Sequence, residues 1–117
     1  MKPLLTNEQR IKMIENGIES QKNQDSNHWP VVKLFTADAG CTWLLSELDP
    51  EEPDIAFGLC DLGLGFPELG YVSISEIARL RWNLGLPVER DLSFKATKSL
   101  LEYSKNAREA GRIVENN

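Results

Sequence analysis

Thr42-Trp43-Leu44-Leu45-Ser46-Glu47-Leu48-Asp49, then Pro50-Glu51-Glu52-Pro53-Asp54, then Ile55-Ala56-Phe57-Gly58-Leu59-Cys60-Asp61 reads as strand, loop and strand. Both flanking runs are rich in residues that suit a pleated, half-buried surface. Two prolines in the loop cannot donate ladder hydrogen bonds, so the runs stop at Asp49 and restart at Ile55 as a hairpin. Pairing Asp49 with Ile55 sets Glu47 opposite Phe57, Leu45 opposite Leu59 and Trp43 opposite Asp61. That register predicts one face bearing Trp43, Leu45, Glu47, Phe57, Leu59 and Asp61, and another bearing Leu44, Leu48, Ala56 and Cys60. Glu47 and Asp49 then lie at the loop end and Asp61 at the far end. Cys41 and Cys60 have opposite parity in this register, which argues for two free thiols.

Outward from the hairpin, residues 31–36 form a β-branched and aromatic run, followed by the turn Asp38-Ala39-Gly40. Leu62-Gly63-Leu64-Gly65-Phe66-Pro67 is a glycine-punctuated turn leading to a strand over 69–73, and 89–94 reads as a further strand. Thr6 and Gln9 make a capping box for a helix over 7–16, with Gly17 as its stop. Ser73 and Glu76 repeat the pattern before a second helix that Gly85 and Pro87 would close. A third helix over 98–110 is expected to bury Leu100, Leu101, Tyr103 and Ala107 and to stop at Gly111. The expectation is α+β: a small antiparallel sheet with three flanking helices in a single domain over 1–117, with 19–29 as a mobile loop and 115–117 as a frayed tail.

Charge is unevenly spread along the 117 residues, whose net charge is −5. From Leu34 to Ala78 there are nine carboxylates and no lysine or arginine. Such a stretch repels phosphates and attracts cations or a basic protein surface, so no direct nucleic-acid contact is expected. No run approaches the ~18 to 20 apolar residues of a membrane span. No leader-like apolar segment opens the chain, which leads to a cytoplasmic expectation. With two cysteines and a lone His28, a structural zinc site of the usual kind cannot be assembled within one chain, and no cofactor is expected.

The residues also carry a resemblance. Pro3-Leu4-Leu5-Thr6, Pro30-Val31-Val32-Lys33-Leu34-Phe35, Thr42-Trp43-Leu44-Leu45, Glu47-Leu48-Asp49-Pro50, Ala56-Phe57-Gly58-Leu59-Cys60-Asp61-Leu62-Gly63, Pro67-Glu68-Leu69-Gly70 and Glu89-Arg90-Asp91 together resemble the domain-of-unknown-function family numbered 2958. The likeness spans residues 3–114. It implies a small bacterial protein often encoded on plasmids and conjugative elements, and it brings no established activity and no catalytic residue.

Candidate sites come from the acidic stretch. Glu47, Asp49, Glu51, Glu52, Asp54, Asp61 and Glu68 are the residues expected to bind a basic partner in a non-enzymatic interaction module. The alternative is a small Mg²⁺- or Mn²⁺-dependent hydrolase or nuclease with Asp61, Glu47, Asp49 and Glu68 as hard oxygen ligands. A homodimer burying a shared Trp43/Phe57 face is a third arrangement. The glycines of 58–70 lack the lysine of a phosphate loop and are read as turn and bulge positions. Cys60 reads as a small buried hydrophobe and His28 as a packing residue at a strand entry, so no nucleophile is assigned. Arg90 is expected to pair with an acid on a neighbouring element. Trp29, Phe66, Tyr71 and Trp82 are the aromatics that could supply an exposed anchor.

Overall fold

A computed structural model of the chain describes residues 3–115. The elements are α1 (Asn7–Lys22), β1 (Val32–Thr36), β2 (Thr42–Leu48), β3 (Ile55–Asp61), β4 (Glu68–Ser73), α2 (Ile74–Arg79), β5 (Val88–Arg90) and α3 (Leu100–Ala110). The five strands form one antiparallel sheet in the order β4-β3-β2-β1-β5. The first four are a meander, and β5 returns to close the free edge of β1. With three helices around this sheet the fold is α+β.

Both faces of the sheet are covered, which is why β2 carries consecutive rather than alternating apolar residues. On one face Val32, Leu34, Trp43, Leu45 and Val88 share a core with Met13 of α1 and Ile74 and Ile77 of α2. On the other, Leu44 and Leu59 pack with Leu100, Tyr103 and Ala107 of α3. Leu44 and Leu59 are fully buried cross-strand partners, each contributing about 1.5–3 kcal/mol by leaving water.

The hairpin register holds at the loop and changes beyond it. Asp49 N donates to Ile55 O at 2.9 Å, and Glu47 lies opposite Phe57 as expected. A β-bulge then intervenes between Leu45 and Glu47, with Ser46 as the extra residue, so Leu45 faces Gly58, Leu44 faces Leu59, Trp43 faces Cys60 and Thr42 faces Asp61. The expected Leu45–Leu59 and Trp43–Asp61 pairs are therefore corrected by one residue. A side chain on Gly58 would overlap the carbonyl oxygen of Leu44 and crowd Leu45, so glycine is required where the bulged strand presses closest. As a result Trp43 is buried on one face and Phe57 sits on the other, and the shared Trp43/Phe57 face does not exist. Cys41 and Cys60 pack into one core rather than on opposite faces, and both are free thiols.

The capping box of α1 forms as expected: Gln9 N donates to Thr6 Oγ1 at 3.0 Å and Thr6 N to Gln9 Oε1 at 2.9 Å. The helix does not stop at Gly17 but runs on to Lys22, so the first four residues of the expected loop 19–29 are helical. Gly17 has a different role. A Cβ there would overlap the carbonyl oxygen of Leu48, so glycine lets the helix backbone rest directly on β2 at the cost of about 0.5–1 kcal/mol of helix propensity. β5 is shorter than the strand expected over 89–94, and α2 ends at Arg79, well before Gly85. α3 stops at Gly111 as expected, but Leu101 is half exposed rather than buried. Of the tail 115–117, residues 116 and 117 lie outside the described residues, and the Glu115 carboxylate accepts Lys33 Nζ at 2.6 Å.

Candidate binding surface

The sheet sends the acidic residues to two separate ends. Glu47, Asp49, Glu51, Glu52 and Asp54 occupy the β2–β3 hairpin end, whereas Asp61 closes β3 and Glu68 opens β4 at the opposite end. The length of β3 separates the two groups by about 20 Å, at ~3.3 Å per strand residue. Among the described residues, no group of three or more His, Cys, Asp or Glu side chains stands where it could hold a metal ion.

Asp61 is a structural anchor. It is 5% exposed, and its two oxygens are used by backbone donors: Gly63 N at 2.8 Å and Ile113 N at 2.9 Å. One carboxylate thus shapes the glycine turn and fastens the segment after α3 to the sheet. Glu68, opposite Cys60 on the edge strand, is exposed.

The hairpin end is braced by hydrogen bonds. Asp49 Oδ1 accepts Glu51 N at 2.9 Å, a local turn that Asp favours. Asp54 reaches across to the start of α2, accepting Ser73 Oγ at 2.6 Å, Ser75 Oγ at 2.8 Å and Ser75 N at 2.9 Å. The Ser73 hydroxyl, followed by the Ser75 hydroxyl and amide, holds the Asp54 carboxyl below its ordinary range, and Arg79 adds a smaller pull in the same direction. Ser73 also caps α2 by accepting Glu76 N at 3.2 Å. The two ion pairs among the described residues both use Lys33, with Asp91 at 3.5 Å and Glu115 at 2.6 Å. Among the described residues, no carboxylate of the hairpin end is neutralised by an ion pair.

The bulge places one of these acids in a distinct setting. Glu47, Phe57 and Tyr71 are cross-strand neighbours on β2, β3 and β4 and form one row across the sheet. The Phe57 and Tyr71 rings pack at 5.1 Å between centroids with a 57° tilt, and Tyr71 is 74% exposed. The preceding row on this face, Leu44–Leu59–Leu69, belongs to the core under α3. The Glu47 row is left open at the end of the sheet. It borders a groove of about 190 Å³ whose other walls are Leu48, Asp49 and Pro50 together with Gly17 and the polar Ser20 and Gln21 of α1.

The other sequence candidates resolve as follows. Arg90 donates to the backbone carbonyls of Pro3 at 3.2 Å and Leu4 at 3.1 Å and takes part in no ion pair among the described residues, contrary to the expected acid partner. Of the four aromatics, Trp29, Phe66 and Tyr71 are exposed, and Trp82 packs against the core. Burial, aided by the nearby Glu68, pushes the Cys60 thiol up to about 11, and burial raises Cys41 as well, so neither is an activated nucleophile at neutral pH. His28 uses its backbone carbonyl to accept Leu100 N at 2.9 Å, tying the approach to β1 to the start of α3. Asn16 had no place among the sequence candidates, and Phe57 entered only as half of the expected Trp43/Phe57 dimer face. The only signal for Phe57 is its strand position, and its partner Tyr71 comes from a different strand.

Fold and surface together define a small α+β protein with a five-stranded antiparallel sheet and an acidic hairpin end. The chain belongs to the family described as Protein of unknown function (DUF2958), whose model matches residues 4–114. No curated protein and no solved structure matches it. Among the described residues, no helix is long and apolar enough to cross a membrane.

Proposed function

We propose that the chain is a non-enzymatic interaction module that binds a basic protein partner through its acidic hairpin end. The observation that carries this reading is the hydrogen-bonded tip itself: Glu47, Asp49, Glu51, Glu52 and Asp54, without an ion pair among the described residues and with Asp54 clamping the loop to α2. A predominantly negative surface braced by hydrogen bonds steers a partner of the opposite sign. The same field disfavours nucleic-acid phosphates. A cytoplasmic setting accords with this reading. Of the seven acids expected to serve, Asp61 and Glu68 stand apart from this surface, and no observation favours the metal-dependent hydrolase that would join them to Glu47 and Asp49.

The test is the fluorescence anisotropy of a labelled arginine-rich peptide, with a glutamate-rich peptide as control, at low and high salt. Saturable binding of the first alone, weakening steeply with salt and reduced in the Glu51→Gln/Glu52→Gln variant, supports the module. Absence of binding, or binding indifferent to both salt and the double variant, refutes it.

A further inference from the structure

We propose that the groove between Glu47, Asp49, Phe57 and Tyr71 is the receptor for a single arginine side chain of the basic partner. This inference rests on the interaction-module reading and adds the position and chemistry of its anchor. The groove, about 190 Å³, is smaller than the ~300–1,000 Å³ of small-molecule sites and suits one long side chain.

Its chemistry is two-sided. The Phe57–Tyr71 pair offers aromatic surface, with Tyr71 74% exposed on an edge strand. A guanidinium plane stacks on such faces, and its aliphatic stem covers the apolar surface beside them. Glu47 lies in the same cross-strand row as both rings, and its carboxylate takes part in no hydrogen bond or ion pair among the described residues. Asp49 spends Oδ1 on Glu51 N, and its Oδ2 has no hydrogen-bond partner among the described residues. Two carboxylates with free oxygens beside an aromatic pair match the planar fork of arginine better than the compact ammonium of lysine. Ser20 and Gln21 add polar, uncharged walls, so α1 places no cation in the groove.

The position also follows from the backbone. The Ser46 bulge keeps Leu45 and Leu48 on the face shared with α1 and α2 while turning Glu47 to the side of Phe57. The Glu47–Phe57 pair is set by the hairpin loop, and the extra residue puts that row on the α3 side of the sheet instead of beside Leu45 in the core under α1 and α2.

The experiment compares the arginine-rich peptide with its lysine counterpart on the wild type and on Glu47→Gln, Tyr71→Leu and Glu51→Gln/Glu52→Gln variants. Thermal melts verify folding, since Tyr71 is exposed and Glu47→Gln is isosteric. The groove predicts tighter binding of the arginine peptide, an approximately tenfold loss in Glu47→Gln, and loss of the arginine-over-lysine preference in Tyr71→Leu. If Glu51→Gln/Glu52→Gln weakens binding while Glu47→Gln and Tyr71→Leu do not, the groove is wrong and the acidic surface stands. If no variant changes binding, both readings fall.

Discussion

The side-chain amide of Asn16 donates a 2.8 Å hydrogen bond to the main-chain carbonyl of Ser46. Asn16 is 5% exposed and Ser46 1%. Ser46 is the extra residue of the β2 bulge, and a bulge residue falls out of the ladder. Its carbonyl is buried and needs a donor from elsewhere. α1 supplies that donor one residue before Gly17, where the helix touches Leu48. Helix position and strand irregularity are therefore one feature, and the setting of Glu47 depends on it.

Asn16→Ala removes the donor and leaves the Ser46 carbonyl buried without a partner. Urea unfolding is expected to show a loss of about 1–3 kcal/mol. An unchanged midpoint would mean that the bulge needs no support from α1.

Gly17→Ala gives a sign test. Were Gly17 an ordinary helix position, alanine would stabilise the protein by about 0.5–1 kcal/mol. Because the new Cβ would overlap the Leu48 carbonyl oxygen, the variant is instead expected to lose about 1–3 kcal/mol as α1 is pushed off β2. The direction of the shift in Tm decides between the two.

Asp61→Asn keeps one carbonyl acceptor but turns an NH₂ toward one of the two backbone amides, Gly63 N or Ile113 N, that the carboxylate now serves. A destabilisation of about 1–3 kcal/mol is expected, with arginine-peptide affinity unchanged. A folded, equally stable variant with altered peptide binding would return Asp61 to the functional surface.

Asp54 sets an acid-side dependence. Its carboxyl is held below the ordinary value of 3.8 by Ser73 and Ser75. A depressed folded-state value contributes stability above the unfolded value, and that contribution disappears as pH falls through the folded value. Wild-type stability should therefore decline below about pH 4, and Asp54→Asn should flatten that part of the pH profile. Identical acid limbs in the two proteins would exclude Asp54 as a source of the decline.

How much was legible follows from which signals are local. Thr6 and Gln9, Ser73 and Glu76, and Gly111 mark helix ends through contacts within one turn, and Pro50 and Pro53 fix where β2 stops and β3 begins. The bulge was not legible. Trp43, Leu44 and Leu45 are apolar in succession because both sheet faces are covered, so alternation cannot reveal an extra residue. Gly17 looked like a helix stop because glycine serves stops and close approaches alike, and the contact that decides is with Leu48, 31 positions later. In the binding surface, Glu47 and Asp49 were visible as acids at a loop end. Their association with Tyr71 arises from the pairing of β3 with β4, a long-range fact that composition does not encode.

The most direct test of the interaction surface is a titration of ¹⁵N-labelled protein with the arginine-rich peptide, following backbone amide shifts. Saturable changes are expected at Glu47 to Asp54, Phe57, Tyr71 and the start of α2, fading as salt is raised. Changes centred instead on the exposed Leu62–Phe66 turn or on α3, with the hairpin end silent, would contradict it.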